Sequence, residues 1–499
     1  MYLKKNLKKK LCINLCSCLI CFGSFMVNYS VVNANSSNIP KREISPLIVN
    51  TPTPVSSINS NSNSNTNAIT NTNTINTADK NAAENDLKSV IINWHEIPNA
   101  VRYELKIKNA DTKQTVFTKY DIYASGYQLD NGEVDLSQKL IWQVRGLDYN
   151  KVPVSDYTDL KWLTKGRTYA DNWQEKISEK QTLDSEDIAT SKIEYTTYLV
   201  KNNADLSPLK LTTHFSEMDY MPIYPVYSWV PTKNADYYKI DVFKENPDGE
   251  AEPIETLKTS PTMDYYDNKA YTQAGKYYFN VQAYDNSNNK IAQSANSYFT
   301  VKTDNVNIAA LGDSITHGGG AISTPPSATL YNWETYADVP ILNIGFSGNL
   351  TSNMVNRFDN DVLPFSPKLL VIMGGVNDIR TGIKANTVID NLKKINEKCL
   401  QHNIVPVFLT VTPINPPKMV NNGKIEKPSS SWQQERIKIN DWVKAQPFYV
   451  DIADAMADER GFLKDELTTD GLHPDYEGKK HIGEAVGDYL RLYFPYLTE

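Results

Sequence analysis

The sequence predicts a multidomain chain: an all-β middle region followed by a C-terminal α/β domain built on a parallel sheet covered on both sides. Three observations predict it. Short apolar runs alternate with amphipathic helical patterns after residue 304, a diffuse Trp/Tyr repeat occupies residues 86 to 303, and a low-complexity spacer precedes both.

In the C-terminal part, residues 306 to 311 and 369 to 373 are apolar runs that end at Gly312 and at Gly374-Gly375, and read as buried strands followed by tight turns. Asn343-Ile344 closes a third strand before the loop from 345 to 348, residues 404 to 411 make a fourth, and 449 to 452 a fifth. Between them, Val388, Leu392, Ile395 and Cys399 recur at three- and four-residue spacing, which gives a helix one apolar face. In open parallel sheets, ligands bind outside the carboxyl ends of the strands, and Ser314, Gly348 and Asn377 all fall there.

Four islands at these ends supply the parts of an acyl-transfer site: Gly312-Asp313-Ser314, Gly348, Asn377-Asp378 and Asp470-Gly471-Leu472-His473. A serine hydroxyl is a poor nucleophile at neutral pH. It needs an imidazole to take its proton, and the imidazole needs a carboxylate to hold its tautomer and stabilise its charged form. Asp470 and His473 lie three residues apart, so a single turn brings them together, and Pro474 restricts how the chain leaves. The negative charge that develops on a carbonyl oxygen needs preorganised donors, which the backbone N–H groups of Ser314 and Gly348 and the side-chain amide of Asn377 can supply. Each island alone is an ordinary turn; all four in this order at strand ends are hard to obtain from structural needs only.

The ordered set Gly-Asp-Ser, Gly, Gly375-x-Asn377-Asp378 and Asp-x-x-His resembles the GDSL/SGNH hydrolases, a family of esterases, lipases and carbohydrate deacetylases. The resemblance covers about residues 304 to 499 and implies a three-layer α/β/α flavodoxin-like fold. It also implies Ser314 as nucleophile, Ser314, Gly348 and Asn377 as oxyanion hole, His473 as base and Asp470 as its partner. The first block reads Gly-Asp-Ser-Ile in place of Gly-Asp-Ser-Leu, and Thr316 stands where a Gly-x-Ser-x-Gly elbow would carry its second glycine.

The other histidines are assigned lesser roles. His317 is expected to be a helix-face residue without catalytic duty, pocket lining being the alternative; His481 reads as packing or surface, and His402 sits at a helix end where a cation suits the dipole. His95 and His214 lie outside the catalytic region. There is no His-Glu-x-x-His, no paired Cys-x-x-Cys beyond the leader and no calcium-loop pattern, so no metal and no cofactor are expected.

Residues 1 to 34 read as a signal peptide: Lys4, Lys5, Lys8, Lys9 and Lys10, an apolar stretch from 11 to 27, then Val32-Asn33-Ala34 as a cleavage site. Cleavage removes five lysines and no acids, taking the formal charge from −7 to −12, which argues against nucleic-acid partners. An uncleaved anchor is the alternative, but Asn14 and Ser17 interrupt the apolar run; Leu15-Cys16-Ser17-Cys18 is a minor lipoprotein-like option. Four of five cysteines leave with the leader, and Cys399 remains alone, so no intrachain disulfide is expected. Residues 35 to 85, dominated by Ser, Asn and Thr, read as a disordered linker. The expected location is secreted or extracellular, with cell-surface association open and no stable membrane insertion after cleavage.

In the middle region, Trp94 is followed by Ala100 and Tyr103, and Trp229 at the same offsets by Ala235 and Tyr238; Trp142-Gln143-Val144 matches Phe279-Asn280-Val281. Two copies of one β-unit are implied. They resemble fibronectin type III domains, immunoglobulin-like sandwiches, over residues 86 to 166 and 219 to 303, with 167 to 218 either a linker or added strands. Tyr224, Tyr227, Tyr265, Tyr266, Tyr277 and Tyr278 are packing residues or stacking platforms for cell-surface carbohydrate; alternation sends some of each adjacent pair inward.

Residues 413 to 431 read as a long polar loop that shapes the site and suits a sugar-bearing ester better than a long acyl chain, with Trp333 and Trp432 as core residues or stacking platforms. The expected activity is ester hydrolysis through an acyl-enzyme on a small ester or acylated polysaccharide, most simply deacetylation of a carbohydrate or cell-wall polysaccharide. A lipid esterase or lysophospholipase of the same mechanism, and a surface-binding protein with a scaffold hydrolase domain, are the alternatives.

Overall fold

The computed structural model describes residues 87–163, 195–201, 206–213, 215, 218–246, 249–319, 328–422 and 425–498. The expected leader, the linker, His214 and residues 164–194 lie outside the described residues.

The catalytic region is a five-stranded parallel sheet. Its strands, in chain order Ile308–Gly312, Leu342–Gly345, Leu369–Met373, Val405–Leu409 and Tyr449–Val450, pair in the spatial order 2-1-3-4-5. All five residues of Leu369–Met373 are buried, as expected of a strand covered on both faces, and it pairs with Ile308–Gly312 from Ile308↔Leu369 to Gly312↔Met373. The helix Ala385–Gln401 buries Val388, Leu392, Ile395 and Cys399, so the anticipated stripe is its packing face. The long C-terminal helix Tyr476–Tyr493 covers the sheet with Ile482, Val486 and Leu490. Strands one to three are therefore each followed within four residues by one candidate residue, Ser314, Gly348 and Asn377. That is the geometry of a sheet whose order reverses beside its first strand.

Antiparallel sheets precede this domain. Thr115–Ile122, Arg102–Asn109, Leu140–Leu147 and Lys161–Trp162 form one; Gly126–Asp130, Leu87–Trp94 and Tyr195–Lys201 form another. Val90, Ile92 and Leu129 of the second share a single buried cluster with Leu105, Ile107, Trp142 and Val144 of the first. In the following unit, Tyr237–Glu245 and Gly275–Tyr284 pair at the centre of a six-stranded sheet. The repeat is visible in three dimensions. Trp94 and Tyr103 meet edge-on with 5.3 Å between ring centroids, and Trp229 and Tyr238 pack tilted at 4.9 Å, all four buried. Asp148 accepts from the N–H of Val152, and Asp285 from that of Asn289, so the two hairpin loops close alike.

Of the segment left open between linker and strands, Tyr195–Lys201 adds an antiparallel strand to Leu87–Trp94, and Ser207–Pro208 pairs in parallel with Lys290–Gln293. The second β-unit and the catalytic domain share one continuous apolar core, where Met221, Ile223 and Tyr271 meet Leu342 and Phe365. The Ile223 N–H donates to the Asn343 carbonyl at 3.1 Å, so this segment covers the edge strand of the parallel sheet.

Candidate functional site

Ser314 begins a one-turn helix, Ser314–His317, directly after the first strand. Asp313 caps it: its Oδ1 accepts the Ile315 N–H at 2.9 Å, and burial pushes this carboxyl up to about 6. Beneath the turn, the buried Lys479 ammonium donates to the Ile315 carbonyl, and burial brings it down to about 8.

The second part comes from the loop before the Tyr476–Tyr493 helix. Asp470 Oδ1 accepts the N–H groups of Leu472 and His473, both at 2.8 Å, and its Oδ2 lies 2.7 Å from His473 Nδ1. A carboxylate only accepts, so Nδ1 carries a proton and Nε2 is left as an acceptor. Nε2 lies 2.9 Å from Ser314 Oγ. Burial alone would raise the Asp470 carboxyl, but the charge and hydrogen bonds of His473 outweigh it and hold it below its ordinary value. Thr468 braces the loop by accepting the Gly471 N–H and donating to the His473 carbonyl.

The third part is a set of donors. Gly348 is exposed with φ of +81°, backbone that favours glycine, in the loop after the second strand. Among the described residues, the N–H groups of Ser314 and Gly348 have no hydrogen-bond partner. Asn377 Nδ2 donates to the Asn349 carbonyl at 3.1 Å while Arg380 faces its Oδ1, which orients the amide and leaves its second N–H free to point elsewhere. The neighbouring Asp378 accepts both the N–H and the hydroxyl of Thr351, at 3.0 and 2.8 Å, and so anchors the helix that follows the Gly348 loop.

Ser314, His473 and Asp470 thus meet at the carboxyl end of the first strand, although Ser314 and His473 are 159 positions apart, while Gly348 and Asn377 follow the neighbouring second and third strands. Other expectations are corrected. Residues 413 to 431 are not a continuous loop: Pro416–Asn422 is helical, with two prolines starting its first turn. This segment supports the Asp470–His473 loop, because Asn415 N–H donates to the Gly471 carbonyl and Lys418 Nζ to that of Thr468. Trp333 and Trp432 are buried, so neither is a stacking platform. His317 is also buried, and its ring holds the loop before Gly348 through Ser347. Ser347, Arg357 and Lys479 were not singled out from the sequence, since they make contacts across 30 to 164 positions that no spacing announces, whereas Thr468 acts on its own loop, where a threonine before Asp-x-x-His was a local signal left unused. Among the described residues, no group of three or more His, Cys, Asp or Glu side chains is arranged to hold a metal ion.

The fold and this geometry define a parallel α/β domain presenting a hydroxyl–imidazole–carboxylate chain beside amide donors at its strand ends. Residues 310–481 match the GDSL-like Lipase/Acylhydrolase family, and this segment of the chain is a GDSL-like lipase/acylhydrolase domain. The uncharacterized lipoprotein YqeF of Bacillus subtilis (strain 168) is 30% identical over 141 residues, 23% of this chain; the chain spans about half (51%) of that relative's length. Among solved structures, a GDSL-like lipase from Bacteroides thetaiotaomicron VPI-5482 is 22% identical, covering 38% of this chain and 91% of its own, with a TM-score of 0.31. An acetylxylan esterase from Geobacillus stearothermophilus is 19% identical over 38% of this chain and 94% of its own, with a TM-score of 0.28.

Proposed function

We propose that this chain is a secreted serine esterase that removes short acyl groups, acetyl foremost, from a carbohydrate or cell-wall polysaccharide. The single observation that carries the hydrolytic reading is the continuous chain from Ser314 Oγ through the His473 ring to Asp470, with links of 2.9 and 2.7 Å. His473 Nε2 takes the Ser314 proton as Oγ attacks the ester carbonyl, and Asp470 stabilises the imidazolium that forms. The oxyanion of the tetrahedral intermediate is held by the N–H groups of Ser314 and Gly348 and by the Asn377 amide. Collapse of the intermediate passes the proton from His473 to the departing sugar oxygen. A water activated by the same imidazole then hydrolyses the acyl-enzyme.

A polar substrate is favoured by the surroundings of the catalytic loop. A cleft of about 700 Å³ lies between the first β-unit and the flank of this loop, beside the five candidate residues rather than lined by them, with Asn99, Tyr149, Asn150, Glu466 and Thr469 among its walls. Amides, hydroxyls and carboxylates of this kind suit a hydroxyl-rich chain better than a long acyl tail. The β-units, read as fibronectin type III-like sandwiches, serve as spacers that hold the enzyme away from the surface to which the N-terminal linker leads. Acetate release from acetylated polysaccharides by the wild type, absent in Ser314→Ala, is the expected result. Peak activity on long-chain acyl esters would overturn the substrate assignment, and undiminished hydrolysis by Ser314→Ala the mechanism.

A further inference from the structure

Tyr224 belongs to the second β-unit, yet its carbonyl and its hydroxyl both face the catalytic domain. Its carbonyl oxygen lies 2.7 Å from His317 Nε2. A carbonyl only accepts, so Nε2 carries the imidazole proton and Nδ1 is a bare acceptor. That acceptor faces Ser347, the residue before Gly348: the Ser347 N–H donates to it at 3.2 Å, and Ser347 Oγ lies 2.9 Å away. Burial brings the His317 imidazole down to about 4, so the neutral form that this relay requires is the one present at neutral pH.

The hydroxyl of Tyr224 reaches the other side of the same loop. It donates to Asp361 Oδ2 at 2.7 Å, an oxygen that also holds one nitrogen of Arg357 at 2.8 Å. The remaining arms of Arg357 donate to Asn349 Oδ1 at 2.7 Å and to the Gly312 carbonyl at 2.9 Å. The Tyr224 ring packs edge-on against Phe346, with 4.6 Å between centroids. Residues 346, 347 and 349, which bracket Gly348, are therefore held by a single residue of the preceding unit: the first directly, the second through His317 and the third through Asp361 and Arg357. So is the end of the strand that delivers Ser314.

We propose that Tyr224 is a positioning residue for ester hydrolysis: acting through His317 and Arg357, it sets the loop that aims the Gly348 N–H at the developing oxyanion, so the catalytic domain depends on the second β-unit for an aligned site. This rests on the assignment of Gly348 as an oxyanion donor. Misplacement of a catalytic group by 1 Å costs on the order of 10²-fold in rate, so loss of the relay should appear in kcat. An apolar docking contact of the same area would affect only stability.

The test uses the full chain and p-nitrophenyl acetate, with Tyr224→Phe, His317→Leu, His317→Gln and Ser314→Ala compared with wild type well below their unfolding temperatures. Tyr224→Phe, which removes one hydroxyl, is expected to lower kcat about 10-fold, and His317→Leu on the order of 10²-fold, with KM within about twofold. His317→Gln, which keeps an amide donor and acceptor, should recover part of the loss. A boronic acid that mimics the tetrahedral intermediate should lose affinity in step with kcat. Wild-type kcat in Tyr224→Phe and His317→Leu, with only a lowered unfolding temperature, would overturn the proposal while an inactive Ser314→Ala left the esterase reading intact. Activity in Ser314→Ala would instead sink the esterase reading.

Discussion

Asp470 grips His473 twice, through Oδ1 on the backbone N–H at 2.8 Å and through Oδ2 on ring Nδ1 at 2.7 Å. The first contact decides what Asp470→Asn does. The asparagine oxygen keeps the two backbone donors, so its NH2 faces Nδ1, which must then accept, and the proton moves to Nε2, where it blocks removal of the Ser314 proton. We expect kcat to fall on the order of 10⁴-fold with little change in KM or melting temperature. Steady-state kinetics on p-nitrophenyl acetate checks this, and a loss below tenfold would contradict the tautomer argument.

The proposed oxyanion donors separate into two kinds. Asn377→Ala removes a donor and frees the Asn349 carbonyl, and should lower kcat by about 10²- to 10³-fold. Gly348→Ala meets no atom within 4 Å of the new Cβ, so its effect comes from the backbone at φ of +81°, about 1–2 kcal/mol of strain. It should lower both kcat and the urea midpoint, whereas Asn377→Ala should act mainly on kcat.

Glu334 is buried, and burial pushes its carboxyl up to about 8 from an ordinary 4.5. Between these values the folded protein keeps a proton that the unfolded chain has lost, so stability falls as pH rises across the window, by at most about 1.4 kcal/mol per pH unit. Urea unfolding from pH 5 to 8 should show this decline, and Glu334→Gln should flatten it. An unchanged slope in the variant would place the titration elsewhere.

Helix Tyr476–Tyr493 approaches the turn Trp333–Tyr336 so closely that a Cβ at Gly487 would overlap the Ala337 carbonyl oxygen. Gly487→Ala therefore forces the helix outward despite the better helix propensity of alanine, at a cost of about 1–3 kcal/mol. Glu484→Ala, on the exposed side of the same helix, should stay within about 0.5 kcal/mol. Chemical denaturation of the two variants compares the sites directly.

The parallel sheet was legible in the sequence because its strands are buried on both faces. An unbroken run such as Leu369–Met373 and the four-residue stripe from Val388 to Cys399 record burial that any α/β packing would impose. The candidate residues were legible because acyl transfer demands particular side chains at strand ends. Residues 413 to 431 misled because proline and polar content resemble a loop, although two prolines also start a helix without breaking a hydrogen bond. The Trp/Tyr repeat of the β-units was readable at its core positions, while the strand Tyr195–Lys201 carried no comparable signal.

Local chemistry, then, was determined by the chain itself: the Asp470–His473 turn, the Asp313 cap on Ser314 and the glycine demanded at position 348 all follow from residues within a few positions of one another. Tertiary structure alone decided that Tyr224 reaches His317 and Asp361, and that Lys479 lies beneath Ile315. The physical reason is separation along the chain. Hydrogen bonds across 93 to 164 positions leave no periodicity in a sequence, because each is made only when two elements distant along the chain are packed against each other.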